Sequence, residues 1–276
     1  MRQSEFREGF ILKKIGITVI KSAGFFLGWV IIASILPLSS SEEPAVWRLW
    51  AEIMPLLAIL VFTFIFWFVE KKQVKLHLLD HPVKGILLGT VTGVVWLAVP
   101  VWIMYMAKCI HFGGMNSIKW FSVWMLAAFL NVIMQELLVR GYLYQMLRQK
   151  HNIAAAAVVT TGIFTALHGW AFEAGIIPVF NVLTMSLLMT AVLEYSGSII
   201  APIVMHFLWN GIGALILGGV SLADDYPSLL ITTFTGNELL SGGVCGIEGS
   251  VIVFIVNLVL AALFIFLNIR KKSEPK

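Results

Sequence analysis

Charge is what this sequence has least of. Only 12% of its 276 residues are Asp, Glu, Lys or Arg, about half the usual share of 25% in a soluble domain. So few charges cannot cover a water-facing surface, and a soluble fold is excluded. Cysteine is nearly absent too: Cys109 and Cys245 stand far apart and form no metal-ligand spacing. Both fall in links assigned below to the outer side of a membrane, where a disulfide is open but not required. Internal repeats, low-complexity segments and a soluble domain are all missing, so residues 1–276 read as a single membrane domain. The net charge of +4 does not signal nucleic acid, because the basic residues stand at the ends of apolar runs.

What is there is apolar. Hydrophobic residues make up 59% of the chain and mean hydropathy is +0.91. They fall into runs of roughly 20 residues, the length a helix needs to cross a bilayer. Each run must be helical, since lipid offers no partner to free backbone N–H and C=O groups. The spans read as 16–37, 48–69, 84–107, 121–147, 153–172, 176–195, 199–219 and 250–269. The fold class is therefore all-α: a polytopic membrane protein with about eight transmembrane helices in one bundle. The first run contains Lys21 and exceeds a signal-peptide core, so it is expected to be an uncleaved helix. The long link at 219–250 is rich in Gly, Ser, Thr and Asp, and reads as a loop with turns.

The links separate by charge. Arg2, Arg7, Lys13 and Lys14, then Lys71, Lys72, Lys75 and Lys84, then Arg148 and Lys150, then Arg270, Lys271, Lys272 and Lys276 all fall on one side. The other side holds only Arg48, Lys108 and Lys119, with the acids Glu42, Glu43, Asp224, Asp225, Glu238 and Glu248. The positive-inside rule then places both termini in the cytoplasm, and the expected location is the plasma membrane of a prokaryote.

Ionisable groups inside apolar spans cost about 2.5 to 3.5 kcal/mol each on insertion scales and mark the place to look for function. The fourth span carries Asn131, Gln135, Glu136 and Arg140, with the last two four residues apart on one helical face. Taken alone, that pair is equally well a structural tie between helices. The fifth span adds Phe164 and His168, and the seventh adds His206 and Asn210. Four ionisable groups and an Asn, Glu136, Arg140, His168, His206 and Asn210, on three spans are harder to explain by structure alone. A buried carboxylate can act as a general base toward water, a neutral His can share that proton, and His with Asn can donate to an oxyanion. These are the parts for amide hydrolysis. No Ser or Cys stands beside either His, which weakens covalent catalysis. The preferred reading requires no cofactor. A zinc ion held by Glu136, His168 and His206 is the chemical alternative.

Three motifs in order carry a resemblance: Gln135-Glu136-x-x-x-Arg140, Phe164-x-x-x-His168 and His206-x-x-x-Asn210. Over residues 120–215 the chain resembles the CAAX prenyl protease and bacteriocin-processing (Abi) family of intramembrane endopeptidases. The family pattern is Glu-Glu-x-x-x-Arg, Phe-x-x-x-His and His-x-x-x-Asn on separate helices. The resemblance implies that Glu136, Arg140 and His168 activate water and that His206 and Asn210 hold the oxyanion. At the first motif position this chain has Gln135, whose amide cannot serve as a base. The leading expectation is an endopeptidase acting on a membrane-bound or lipidated peptide from a cytoplasm-facing cavity, with membrane lipid as its surroundings and no nucleic-acid partner. The alternative is a non-catalytic scaffold or bacteriocin-immunity-type protein that keeps the fold. A proton-relay transporter is disfavoured because the chain shows no repeated halves with broken helices.

Overall fold

The computed structural model describes residues 2–273, with side chains from residue 13 onward. Arg2, Arg7 and Lys276, used above as charge markers, lie outside the described side chains. The elements in order are α1 (Arg2–Ile35), α2 (Pro44–Val69), α3 (Pro82–Met106), β1 (Ile110–Met115), α4 (Phe121–Arg140), α5 (Tyr142–Lys150), α6 (Ile153–Leu167), α7 (Gly169–Ala174), α8 (Ile176–Ser196), α9 (Ile200–Leu208), β2 (Leu230–Phe234), α10 (Glu238–Ser241) and α11 (Val251–Ser273). A π-helical stretch, Trp209–Ile216, continues α9, and a 3₁₀ stretch, Gly243–Gly249, precedes α11.

The chain is an all-α integral membrane protein. Among the described residues six helical segments are long and apolar enough to cross a bilayer, and two shorter apolar ones, Ile153–Leu167 and Ile200–Ile216, make a count of about eight compatible. The start signals are ordinary ones. Pro44 and Pro82 open α2 and α3 at positions where the missing N–H costs nothing. Asn152 caps α6 by accepting from the Ala155 N–H at 2.8 Å. Outward residues such as Ile20, Leu87, Trp102 and Val158 are exposed, as a lipid-facing surface requires.

Glycine sets a close contact between helices. Gly85, Gly89 and Gly93 lie on one stripe of α3 against α9, where a Cβ on Gly93 would come within 2.8 Å of the Met205 Cα. Interhelical polar bonds add to this, each worth about 0.6 kcal/mol in a membrane. Trp96 Nε1 donates to Asn257 Oδ1 at 2.6 Å, and Asn257 Nδ2 donates to Thr184 Oγ1 at 3.0 Å. Trp96 also stacks on Trp209 at 4.2 Å, joining α3 to the π-helical stretch.

Two spans read as continuous are broken in the structure, and both breaks have local causes. The fourth turns at Gly141, whose ψ of −121° leaves the helix, and since a Cβ there would run into the Leu137 carbonyl, glycine is what permits α4 to end and α5 to start afresh. The fifth stops at His168, whose φ of −95° and ψ of 55° leave the helix. There the His168 ring bonds the Phe164 carbonyl at 2.7 Å and the His168 N–H turns back to Thr165. The link 219–250 is also more ordered than a plain loop: β2 pairs antiparallel with β1, with a bulge between Phe112 and Met115. Cys109 and Cys245 are both free.

Candidate active site

The polar residues of α4 divide between two faces, as adjacent helical positions must. Glu136 and Arg140 are fully buried. Arg140 Nη1 donates to both Glu136 oxygens, at 3.0 and 2.8 Å, and its Nη2 donates to the Ser186 carbonyl at 2.8 Å and hydroxyl at 3.0 Å. His206 brings its Nδ1 to within 2.9 Å of Glu136 Oε1. A carboxylate beside a guanidinium accepts hydrogen bonds, so Nδ1 is the protonated nitrogen and Nε2 is left for the other side of the ring. Glu136 therefore stands behind His206.

In front of His206 lies a cavity of about 340 Å³. Gln135, His168, His206 and Asn210 all line it, and Glu136 and Arg140 do not. The two histidines flank one ring: Phe164 lies 4.3 Å from His168 and 6.0 Å from His206, centroid to centroid, with the Arg140 guanidinium 5.4 Å from its centroid. The Phe164 carbonyl can only accept, so His168 Nδ1 donates to it at 2.7 Å, and its Nε2 carries the lone pair. All five residues singled out in the sequence are thus in one constellation, three on the cavity wall and two supporting it. Among the described residues no group of three His, Cys, Asp or Glu side chains is placed to hold a metal ion.

Sequence reasoning missed part of the wall. Glu52 and Arg48, from the first turns of α2, line the cavity with Asn131, Tyr226 and Glu248. Asn131 Nδ2 donates to Glu52 Oε2 at 2.8 Å, and Gln135 Nε2 donates to Asn131 Oδ1 at 2.6 Å. Tyr226 donates its hydroxyl to Glu52 Oε1 at 3.2 Å, and Arg48 bridges Glu52 to Asp225. Gln135 Oε1 is buried and has no hydrogen-bond partner. Glu248 accepts from Trp209 Nε1 at 3.1 Å and from the Ser221 N–H at 2.9 Å. Glu52 was detectable as a carboxylate inside an apolar span one turn after Arg48. Glu248 was not, since its sequence position reads as a polar loop.

The cavity has a direction relative to the basic links, which bears on the expectation that it faces the cytoplasm. Its walls come from the start of α2, the end of α6, α7, the π-helical stretch and the link 221–226. These lie at the end of the bundle that carries β1 and β2, opposite the basic links. Among the described residues the basic end is packed shut. Tyr142 through Leu147 of α5 are buried there. Glu70 takes Lys21 at 2.6 Å and Lys150 at 2.5 Å, and Glu194 takes Arg148 at 2.6 Å. Among the described residues the cavity therefore opens at the end of the bundle opposite the basic links.

Fold and site together define a class: a helical integral membrane protein with a histidine-bearing polar cavity between its helices. Residues 117–212 match the family described as type II CAAX prenyl endopeptidase Rce1-like, which bears out the resemblance seen in the three motifs. Comparison with curated proteins and with solved structures gives no match.

Proposed function

We propose that this protein is an intramembrane endopeptidase that hydrolyses a peptide bond in a membrane-bound or lipidated peptide. The observation that carries this reading is the pair of histidines on one cavity, each with Nδ1 committed to a fixed acceptor and Nε2 left free. His168 Nε2 takes a proton from water as the water oxygen bonds to the scissile carbonyl carbon. Protonated His206, its charge balanced by Glu136, donates from Nε2 to the developing oxyanion alongside the Asn210 amide. The carbon–nitrogen bond then breaks, and the leaving nitrogen takes the proton from His168. Glu136 and Arg140 are positioning residues in this scheme: they balance the His206 imidazolium and hold its ring in one orientation. The prokaryotic plasma membrane and cytoplasmic termini, inferred from the charge of the links, belong to the same proposal.

A specific observation favours the scaffold reading: the only motif carboxylate, Glu136, is turned away from the cavity, and Gln135 takes the wall position. The test is cleavage of candidate membrane peptides, lipidated and unmodified, by purified wild-type protein and by Gln135→Glu, with and without chelator. Wild-type cleavage that resists chelator supports histidine-activated water. Inert wild type with an active Gln135→Glu variant establishes the scaffold, and chelator-sensitive cleavage establishes a metal.

A further inference from the structure

The two ends of the bundle differ in both access and charge, and together these fix which side of the membrane the substrate comes from. We propose that the cavity is entered from the extracytoplasmic face, and that the substrate is a membrane-tethered peptide segment exposed on that face. The proposal rests on the hydrolytic reading for the word substrate, and on geometry and charge for the direction.

Three observations carry it. The first is the depth of the cavity wall. Its deepest residues on α4 are Met134 and Gln135, and none of its lining residues lies beyond them toward α5. From Gln135 the wall runs through Asn131 to Glu52 and Arg48 and on to Ser221 and Ala223, which are exposed. A substrate segment reaching His168 and His206 must come past that rim.

The second is the packing of the other end among the described residues. Between the cavity floor and the basic links stand Glu136 and Arg140, then the buried run Tyr142–Leu147, then the ion pairs on Glu70 and Glu194. A peptide arriving from there would have to break several buried or half-buried charge pairs, each break leaving an uncompensated charge.

The third is the sign of the flanking charge. At the closed end stand Lys13, Lys14, Lys71, Lys72, Lys75 and Lys84, with Arg148 and Lys150 in the last turn of α5 and Arg270, Lys271 and Lys272 in the last turn of α11. At the rim end the basic residues are Arg48, Lys108 and Lys119. Arg48 is paired with Asp225 and Glu52, and Lys119 is paired with Glu43 at 2.6 Å. Basic flanking residues are retained in the cytoplasm during insertion, so the rim lies on the far side.

The experiment is cysteine labelling in intact cells with a membrane-impermeant maleimide, in a Cys245→Ser background because Cys245 is partly exposed. Ala223→Cys places a thiol on the cavity rim and Lys272→Cys places one at the closed end, with Asp224→Cys as a second rim position should the first disturb the wall. The expected result is labelling at 223 or 224 in intact cells and at 272 only after permeabilisation. Labelling of 272 in intact cells overturns the proposal, and so do rim positions that stay unlabelled until the membrane is opened. Detergent-solubilised protein exposes both faces, so failure to cleave any peptide there counts against the hydrolytic reading and leaves the direction of the cavity decided by the labelling.

Discussion

Both ends of the bundle bury carboxylates, and they partner them differently. At the closed end Glu70 is held by two lysines and the Tyr142 hydroxyl, and Glu194 by Arg148 and the Tyr144 hydroxyl. At the open end Glu248 accepts from neutral donors, Trp209 and a backbone N–H, and Glu52 takes an amide and a phenol besides Arg48. Full charge pairing fixes helices in one arrangement, which suits a seal. Neutral donors, unfilled acceptors and single free histidine nitrogens leave bonding capacity for a ligand, which suits a site. Glu136 stands at the boundary: Arg140 makes it part of the seal, and His206 makes it part of the site.

The largest expected effect tests that boundary. Arg140→Met leaves the fully buried Glu136 without its cation, at a cost of about 3 to 5 kcal/mol, so the yield of folded protein should collapse in size-exclusion profiles. If folded Arg140→Met accumulates at the wild-type level, the pair is not structural. The next effect belongs to the cavity. His168→Ala or His206→Ala should lower cleavage by about 10² to 10⁴-fold, with thermal midpoints close to wild type. Retained activity with lower midpoints would move both histidines to the structural side. Smaller still is Gln135→Glu in an active enzyme. It removes the donor to Asn131 and sets a second carboxylate near Glu52, and a rate change of less than about tenfold is expected, the loss of one positioning hydrogen bond being worth about 1 kcal/mol.

The smallest effect belongs to the seal. Burial works to raise the Glu70 carboxyl, but the hydrogen bonds from Lys150 and Lys21 outweigh it and hold the group below its ordinary value. A carboxylate depressed in the folded state contributes stability above its unfolded pKa and loses it as pH falls through the folded one. Glu70→Gln should therefore lower stability by about 1 kcal/mol near neutral pH, and the difference should vanish in acid below the ordinary carboxylate range. A difference that is constant with pH would show that the pairing contributes nothing through charge.

How far the sequence discloses these two ends depends on which physical signal each uses. Apolar run length disclosed the helical, membrane-spanning character of the chain because lipid forces helix on any such run; six of the described helices are long enough to span, and the expected count of about eight is compatible with them. The breaks at Gly141 and His168 escaped, since each depends on one side chain or one missing Cβ. Glu136, Arg140, His168, His206 and Asn210 were legible because ionisable and amide groups are costly in lipid and fell into ordered motifs. The orientation of Glu136 away from the cavity was not legible: helical spacing separates residues 135 and 136 by about 100°, but does not say which of them faces the cavity. Glu248 and Tyr226 reach the wall from a long link, and only tertiary packing could place them.

The central claim is that the open end, with its two free histidine nitrogens, performs chemistry while the other end, with its fully paired carboxylates, only holds the fold. The most direct measurement is cleavage by purified protein in detergent, with thermal midpoints recorded on the same preparations of wild type, His168→Ala and Glu70→Gln. The expected result is loss of cleavage with an unchanged midpoint for His168→Ala, and a lowered midpoint with retained cleavage for Glu70→Gln. Wild-type cleavage that survives undiminished in His168→Ala would contradict the claim.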